Sequence, residues 1–328
     1  MPSIKVALLG FGTVGEGIYR ILNERKNEIK QQTGCEIDIV AILVRDTAKV
    51  RLATPGVKVT GDIQEILMNP DIDFIFEAIV GEEPAYTYLS DAIEKGFHVI
   101  TANKKMFAKH GPALLKHAEF RGVQVGYEAT TAGGVPIIRT VKNLLPADRV
   151  RRIRGILNGT SNFILTKMRE EEIPFKAALI EAQELGYAEA DPNDDVSGKD
   201  AFRKLMILSA LSFGTQPDWR DIPIVGIDGV KLEDVSEALM GKLRYRHIAD
   251  ISIDENGVLR GSVGPVLIGP DNPLYGVDGV NNAIIVETDY LGSLTLVGPG
   301  AGMYPTASAV IGDFLFMVGK REKVLIKN

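Results

Sequence analysis

The 328-residue sequence has one cysteine, one tryptophan, no excess of basic residues and no long apolar run. The lone cysteine, Cys35, cannot close an internal disulfide, and it cannot supply a zinc cage or a Cys-x-x-Cys redox pair. A reducing, cytoplasmic setting is therefore expected. Lys and Arg number 37 against 43 Asp and Glu, a formal net charge of −6. That balance argues against nucleic acid as the main partner, because phosphate binding needs a basic face. No apolar run reaches the roughly 18–20 residues that span a bilayer, and the chain opens in a strand pattern rather than a signal-peptide core. No membrane partner is expected. With 34 glycines and 16 prolines, composition is near the ordinary range, which excludes collagen-like and low-complexity chains. A domain usually holds roughly 100–200 residues, so two domains with separate cores are expected.

What is present is a rhythm of short apolar runs and helical stretches. Residues 4–9 are apolar and end at Gly10; residues 15–30 then place Ile18, Ile21, Leu22 and Ile29 at helical spacing. Further strand-like runs cover residues 37–44, 72–79, 97–100 and 123–125, the last two preceded by helix-like stretches ending at Gly96 and Gly122. Strands alternating with helices imply a parallel sheet covered on both faces. Beyond Gly133-Gly134 the rhythm changes. A helix is expected over 135–145, a basic strand over 149–157, three helices between 162 and 213, and strands with turns over 243–297. This reads as an α+β second domain. The apolar, small-residue stretch 307–318 is expected to be a buried helix.

Gly10-Phe11-Gly12-Thr13-Val14-Gly15 is a G-x-G-x-x-G between a predicted strand and a predicted helix. Gly10 permits the tight turn, Gly12 lets a pyrophosphate approach the backbone, and Gly15 allows close helix–strand packing. Free N–H groups at the helix start would face the phosphates. The second strand ends in Arg45-Asp46. An acidic residue there would favour NAD, whereas Arg45 favours a 2′-phosphate, so NADP is expected ahead of NAD. The alternative is a solvated Arg45 paired with Asp46.

Two polar segments stand out from apolar surroundings. Thr101-Ala102-Asn103-Lys104-Lys105 follows a strand, at the end of an open sheet where ligands bind. The alternative is a helix start with exposed lysines, which suits Lys105 better than Lys104. The second runs from Gly186 to Asp200, with five acidic residues, and leads into Lys204. Asp200 and Lys204 are four apart, on one helix face. A surface ion pair is the bland reading, yet Leu205, Ile207, Leu208 and Leu211 make this helix largely buried. Calcium binding is disfavoured because the acidic spacing lacks the required loop pattern.

The run Ala182-x-x-x-Gly186-Tyr187-Ala188-x-x-Asp191-Pro192-x-x-Asp195-Val196-x-Gly198-x-Asp200-x-x-x-Lys204 resembles the signature of the homoserine dehydrogenases. Other segments match that family in the same order: 101–105; Tyr127-Glu128-Ala129-Thr130 with Ala132-Gly133-Gly134-Val135-Pro136; 158–162; and Gly300-Ala301-Gly302 before Pro305-Thr306. The resemblance extends from residue 4 to about residue 320. It implies an α/β fold, a Rossmann-type doubly wound parallel sheet plus an α+β catalytic and dimerisation domain. The expected division is an NAD(P)-binding domain over 1–133, completed by a helix at 303–328, and a second domain over 134–302. It further implies reversible NAD(P)H-dependent reduction of L-aspartate 4-semialdehyde to L-homoserine, in amino-acid biosynthesis. Lys204 would be the catalytic proton donor and acceptor, with Lys104 a second catalytic lysine beside substrate and nicotinamide. Glu189, Asp200 and Asp195 would bind substrate; Gly302 and residues 11–14 would contact the cofactor. Glu128, Thr131, Gly133 and Val135 fall where the family can hold Na+ or another monovalent cation, although Thr131 stands where valine is more usual. Control through a fused aspartate kinase or a C-terminal regulatory domain is not expected from the 328 residues.

A lysine ammonium can protonate the oxygen that becomes an alkoxide on hydride addition, provided its pKa lies near the working pH. Acyl-enzyme chemistry would need a cysteine in the crevice, and Cys35 precedes the second strand, at the opposite edge. His98, His110, His117 and His247 show no metal-ligand spacing and are expected to be structural or surface residues. Asn158 to Asn162 reads from its residues as a helix-capping turn. A homodimer is expected from the family and from strand edges within 243–297 that need partners.

Overall fold

The computed structural model describes residues 3–49 and 56–325. The chain divides into two compact units, one running to Thr130 and resuming at Gly302, the other Thr131–Ala301. The first begins with β1 (Ser3–Leu9), α1 (Thr13–Glu24), α2 (Lys26–Thr33) and β2 (Glu36–Leu43). It continues through β3 (Lys58–Thr60), α3 (Gln64–Leu67), β4 (Phe74–Glu77), α4 (Ala85–Glu94), β5 (His98–Thr101), α5 (Lys104–Arg121) and β6 (Val125–Gly126). All pairings among the described strands are parallel, in the order β3-β2-β1-β4-β5-β6. The order reverses between β1 and β4, which opens a ligand crevice beyond their carboxyl ends.

The single helix expected over 15–30 breaks at Arg25 into α1 and α2. Leu22 before the break and Ile29 after it both enter the core formed with Val6, Leu8 and Phe76. β3 gave no sequence signal because three residues make no apolar run.

The second unit opens with α6 (Ile137–Arg139), which passes directly into a π turn over Thr140–Leu144. This replaces the regular helix expected over 135–145: Leu145 N–H reaches back to Thr140 O at 3.1 Å. There follow β7 (Val150–Ile156), α7 (Gly159–Glu170), α8 (Phe175–Glu184), α9 (Asn193–Val196), α10 (Lys199–Phe213) and α11 (Leu232–Met240). Then come β8 (Arg244–Ile253), β9 (Leu259–Ile268), β10 (Asn281–Thr288) and β11 (Ser293–Pro299). The described strands form one antiparallel sheet in the order β11-β10-β7-β8-β9, against which α7 and α10 pack. Arg246, fully buried on β8, donates to the Asp278 carboxylate at 2.5 Å and to Tyr275 O at 2.6 Å. Arg169 and Arg244 converge on the same carboxylate at 2.9 and 3.3 Å. Burial alone would raise the Asp278 pKa; hydrogen bonds from Arg246 and Arg169 hold it below the ordinary value.

The last element, α12 (Met303–Leu325), belongs to the first unit. It is longer than the 307–318 expected. Phe314 meets Phe74 and Phe76 edge-to-face at 5.0 and 5.4 Å. Gly17 of α1 admits this helix, since a Cβ there would lie 2.8 Å from Met303 Cγ.

Candidate active site

The glycine motif forms the turn from β1 into α1. Gly10 has φ +94°, in the left-handed region, and a Cβ on it would lie 2.8 Å from Ala78 O. A Cβ on Gly15 would lie 2.2 Å from Gly10 O, so only glycine lets α1 approach β1 this closely. Gly12 is the N-cap of α1 and brings no side-chain cap; a Cβ there would meet nothing within 4 Å. The first N–H groups of α1 therefore face open space, where an anion gains from both the donors and the helix dipole. Beside them lies a cleft of about 320 Å³ lined by Phe11, Arg45, Val80 and Tyr88 among others. This fits the diphosphate of a dinucleotide. Thr13 is exposed and Val14 half-buried on the same turn. Arg45 is exposed on the cleft, while Asp46 accepts instead from Ala48 N–H at 3.1 Å.

Lys104 is the first residue of α5 and is half-buried; Lys105 is exposed. Asn103 caps that helix by accepting from Met106 N–H at 3.0 Å. Gly302, with φ +118°, precedes α12, and its carbonyl accepts from Thr306 N–H at 3.1 Å.

Sequence reading missed Glu77, the last residue of β4. It is fully buried, accepting from Thr101 Oγ1 at 2.5 Å and from Ile79 N–H at 2.6 Å. Burial pushes its pKa up to about 7, against the pull of those hydrogen bonds. The available signal was a carboxylate inside the otherwise apolar run 74–79.

In the second unit the signature residues gather around α10. Lys204 and Asp200 have side chains only 5% and 2% exposed and pair at 2.8 Å. The surface-pair reading is therefore excluded. Lys204 Nζ also donates to Leu157 O at 2.6 Å, an oxygen shared with Asn282 Nδ2 at 3.1 Å. Asn158, a cap by its residues and part of a family-matching segment by resemblance, does cap α7, accepting from Ser161 N–H at 2.8 Å. Its amide also donates to Asp200 at 2.8 Å and Asp195 at 2.7 Å, joining the two carboxylates. Ser161 Oγ donates to Asp195 O at 2.8 Å, which holds α9 against the start of α7. Glu189 is exposed in the loop between α8 and α9, and that loop is tied down where Thr160 Oγ1 donates to Tyr187 O at 2.6 Å.

Among the histidines, His98 stacks on Phe74 and His110 on Tyr86, while His117 lies 2.9 Å from Glu94. His247 is buried on β8 with Nε2 3.0 Å from Val225 O; burial lowers its pKa, opposed by that hydrogen bond and by the charge of Asp200. No group of three or more His, Cys, Asp or Glu among the described residues is arranged to hold a metal ion. Glu128 lies in the first unit, fully buried, with its N–H donating to Asp313 Oδ2 at 2.8 Å. Thr131, Gly133 and Val135 lie in the second; Thr131 and Val135 are buried, and Val135 O accepts from Ile137 N–H at 2.8 Å. Cys35 lies just before β2, away from the carboxyl ends of the strands.

Residues 10–128 match the sequence profile described as "Homoserine dehydrogenase, NAD binding domain", and residues 136–315 match the profile "Homoserine dehydrogenase". A homoserine dehydrogenase of Bacillus subtilis is 39% identical over 317 residues, covering 96% of this chain and 73% of that protein. The crystal structure of a homoserine dehydrogenase from Thiobacillus denitrificans superposes with a TM-score of 0.92 at 40% identity, over 97% of this chain and 74% of that one. A hyperthermophilic archaeal homoserine dehydrogenase in complex with NADPH gives 0.83 at 28% identity, over 97% of this chain and 98% of that one.

Proposed function

The chain belongs to the homoserine dehydrogenase family, an NAD(P)-dependent oxidoreductase family interconverting L-aspartate 4-semialdehyde and L-homoserine, and from that premise we propose how its own residues divide the work. A bound nicotinamide supplies or accepts the hydride at the aldehyde carbon. Gly10, Phe11, Gly12, Thr13, Val14 and Gly15 receive the diphosphate on the open N–H groups of α1, with Gly302 a further backbone contact. Lys204 Nζ gives its proton to the substrate oxygen as the aldehyde is reduced and takes it back when homoserine is oxidised. Asp200 orients Lys204, and Asn158 orients Asp200. The substrate ammonium is taken by Glu189 with Asp195 and Asp200. Lys104 is a second catalytic lysine, its position set by the Asn103 cap.

The observation that carries this reading is the Lys204–Asp200–Asn158–Asp195 chain, in which buried Asp200 pairs with the buried Lys204 ammonium and the Asn158 amide joins Asp200 to the half-buried Asp195. The decisive experiment is NADPH formation from L-homoserine by the purified protein, with NAD+ in parallel. No activity on either cofactor would favour a silent dinucleotide-binding sensor instead. NADP is proposed as the preferred cofactor because Arg45 stands exposed on the cleft and Asp46 is engaged elsewhere.

A monovalent cation held by Glu128, Thr131, Gly133 and Val135 is proposed on the family resemblance of these positions. Activity in Na+, K+ and tetramethylammonium buffers tests it. A homodimer is supported by the edge strands β9 and β11, where Val266, Leu267 and Val297 are exposed. Light scattering of the purified protein gives its mass directly. No helix among the described residues is long and apolar enough to cross a membrane, and a cytoplasmic setting is proposed.

A further inference from the structure

We propose that Glu77 is a positioning residue that locks the wall of the nucleotide cleft to the start of α5, so that cofactor affinity and the placement of Lys104 depend on one buried carboxylate. The inference rests on the reading of the cleft and of Lys104 given above. On leaving β4 the chain crosses Gly10, with Ala78 N–H donating to Leu9 O at 2.8 Å, and then supplies Ile79 and Val80 to the cleft. This turn is irregular backbone, and its groups need partners from outside any ladder.

A ring of hydrogen bonds provides them. Glu77 Oε1 takes Ile79 N–H at 2.6 Å, and Glu77 Oε2 takes the Thr101 hydroxyl at 2.5 Å. Thr101 Oγ1 in turn takes Asn103 N–H at 2.9 Å. Asn103 Nδ2 closes the ring on Ile79 O at 2.9 Å and Gly81 O at 2.7 Å, and lies 3.5 Å from Glu77 Oε1. The same Asn103 caps α5 through its Oδ1, one residue before Lys104.

The chemistry of the position argues against a purely packing role. Phe74, Ile75 and Phe76 fill the rest of β4 with apolar side chains, and a fourth would avoid burying a carboxyl group. The groups that hydrogen-bond Glu77 are all uncharged. What an ionised carboxylate supplies, and an apolar or amide side chain does not, is acceptance at both oxygens at once.

Thr101→Val, nearly isosteric, cuts one link of the ring; Thr101→Ser keeps it; Glu77→Ala removes the centre. NADPH affinity is read by nucleotide fluorescence, and kcat and the homoserine KM by initial rates at saturating cofactor, on variants whose far-UV circular dichroism matches wild type. Thr101→Val and Glu77→Ala should weaken NADPH binding about fivefold or more, the equivalent of losing one hydrogen bond of the cleft wall. Both should lower kcat while leaving the homoserine KM within about twofold. Thr101→Ser should restore affinity and kcat. Wild-type NADPH affinity and kcat in Thr101→Val, with only a lower melting temperature, would overturn the proposal, as would a serine variant as impaired as the valine one. If the wild-type protein binds NADPH but does not oxidise homoserine, the role of Lys104 falls while the NADPH titrations still decide the ring.

Discussion

Lys204 and Asp200 stand one turn apart on α10 and form a buried ion pair, Nζ to Oδ2 at 2.8 Å. Each charge has been withdrawn from water, and the pair is supported by Leu157 O, which accepts from Lys204, and by the Asn158 amide, which donates to Asp200. An ammonium so held is oriented before substrate arrives. Lys204→Ala should lower kcat by roughly two to four orders of magnitude while NADPH affinity changes little. Steady-state rates and NADPH fluorescence titration check the two halves; near-normal turnover would remove Lys204 from the proton step.

Asn158 holds two carboxylates with one amide, and its oxygen is already committed to capping α7. Asn158→Ala should cost roughly 1 kcal/mol as a cap and, in addition, leave Asp195 and Asp200 without their shared donor. Turnover should therefore fall at least about tenfold, with the homoserine KM raised, because both carboxylates lose their orientation. Asn158→Ser keeps a neutral N-cap acceptor but supplies no amide donor to the carboxylates, and so separates capping from catalysis. A variant with full activity and only a lowered melting temperature would show that Asn158 is a cap and nothing more.

Arg45 tests cofactor choice. If its guanidinium binds the 2′-phosphate, Arg45→Ala should raise the KM for NADP+ about tenfold or more, as expected for losing a charge-assisted contact. The KM for NAD+, which lacks that phosphate, should stay within about twofold. Equal effects on both cofactors would place Arg45 elsewhere in the function of the cleft.

The parts legible in the sequence are those whose chemistry is local. Gly10, Gly12 and Gly15 announce their turn because each has a backbone consequence within a few residues. Lys204 was legible because it interrupts an apolar helix face four residues after Asp200. Asn158 was legible as a cap, an interaction three residues long, whereas its partners Asp195 and Asp200 lie 37 and 42 residues further along the chain. Glu77 meets Thr101 through the parallel register of β4 and β5, which no local pattern encodes. The break at Arg25 and the π turn at 140–144 likewise answer to packing rather than to helical periodicity, which continues through both.

Asp278 should be the main electrostatic support of the second unit, since Arg169, Arg244 and Arg246 all converge on it. Asp278→Asn leaves the fully buried Arg246 without its countercharge and should cost roughly 3 kcal/mol. Thermal melting would register this as a fall of several degrees. Because the folded-state pKa of Asp278 is depressed, its contribution is present at neutral pH and is lost as pH falls through the acid range. The gap between wild type and variant should therefore narrow on acidification.

Glu77 should show the opposite pH dependence. Its pKa rises from an ordinary 4.5 to about 7 on folding, chiefly through burial. The folded state then holds the proton more tightly than the unfolded chain does, so the group favours folding most below the unfolded pKa. That advantage is lost as pH rises towards 7, up to about 3 kcal/mol if the whole shift is expressed. Glu77→Gln cannot titrate. Its melting temperature relative to wild type should therefore climb between pH 5 and pH 8, most steeply around the lower half of that interval. A difference that stays flat across this range would show that the Glu77 carboxyl keeps an ordinary pKa despite its burial, and that the ring around Ile79 and Thr101 stabilises the charged form as much as burial opposes it.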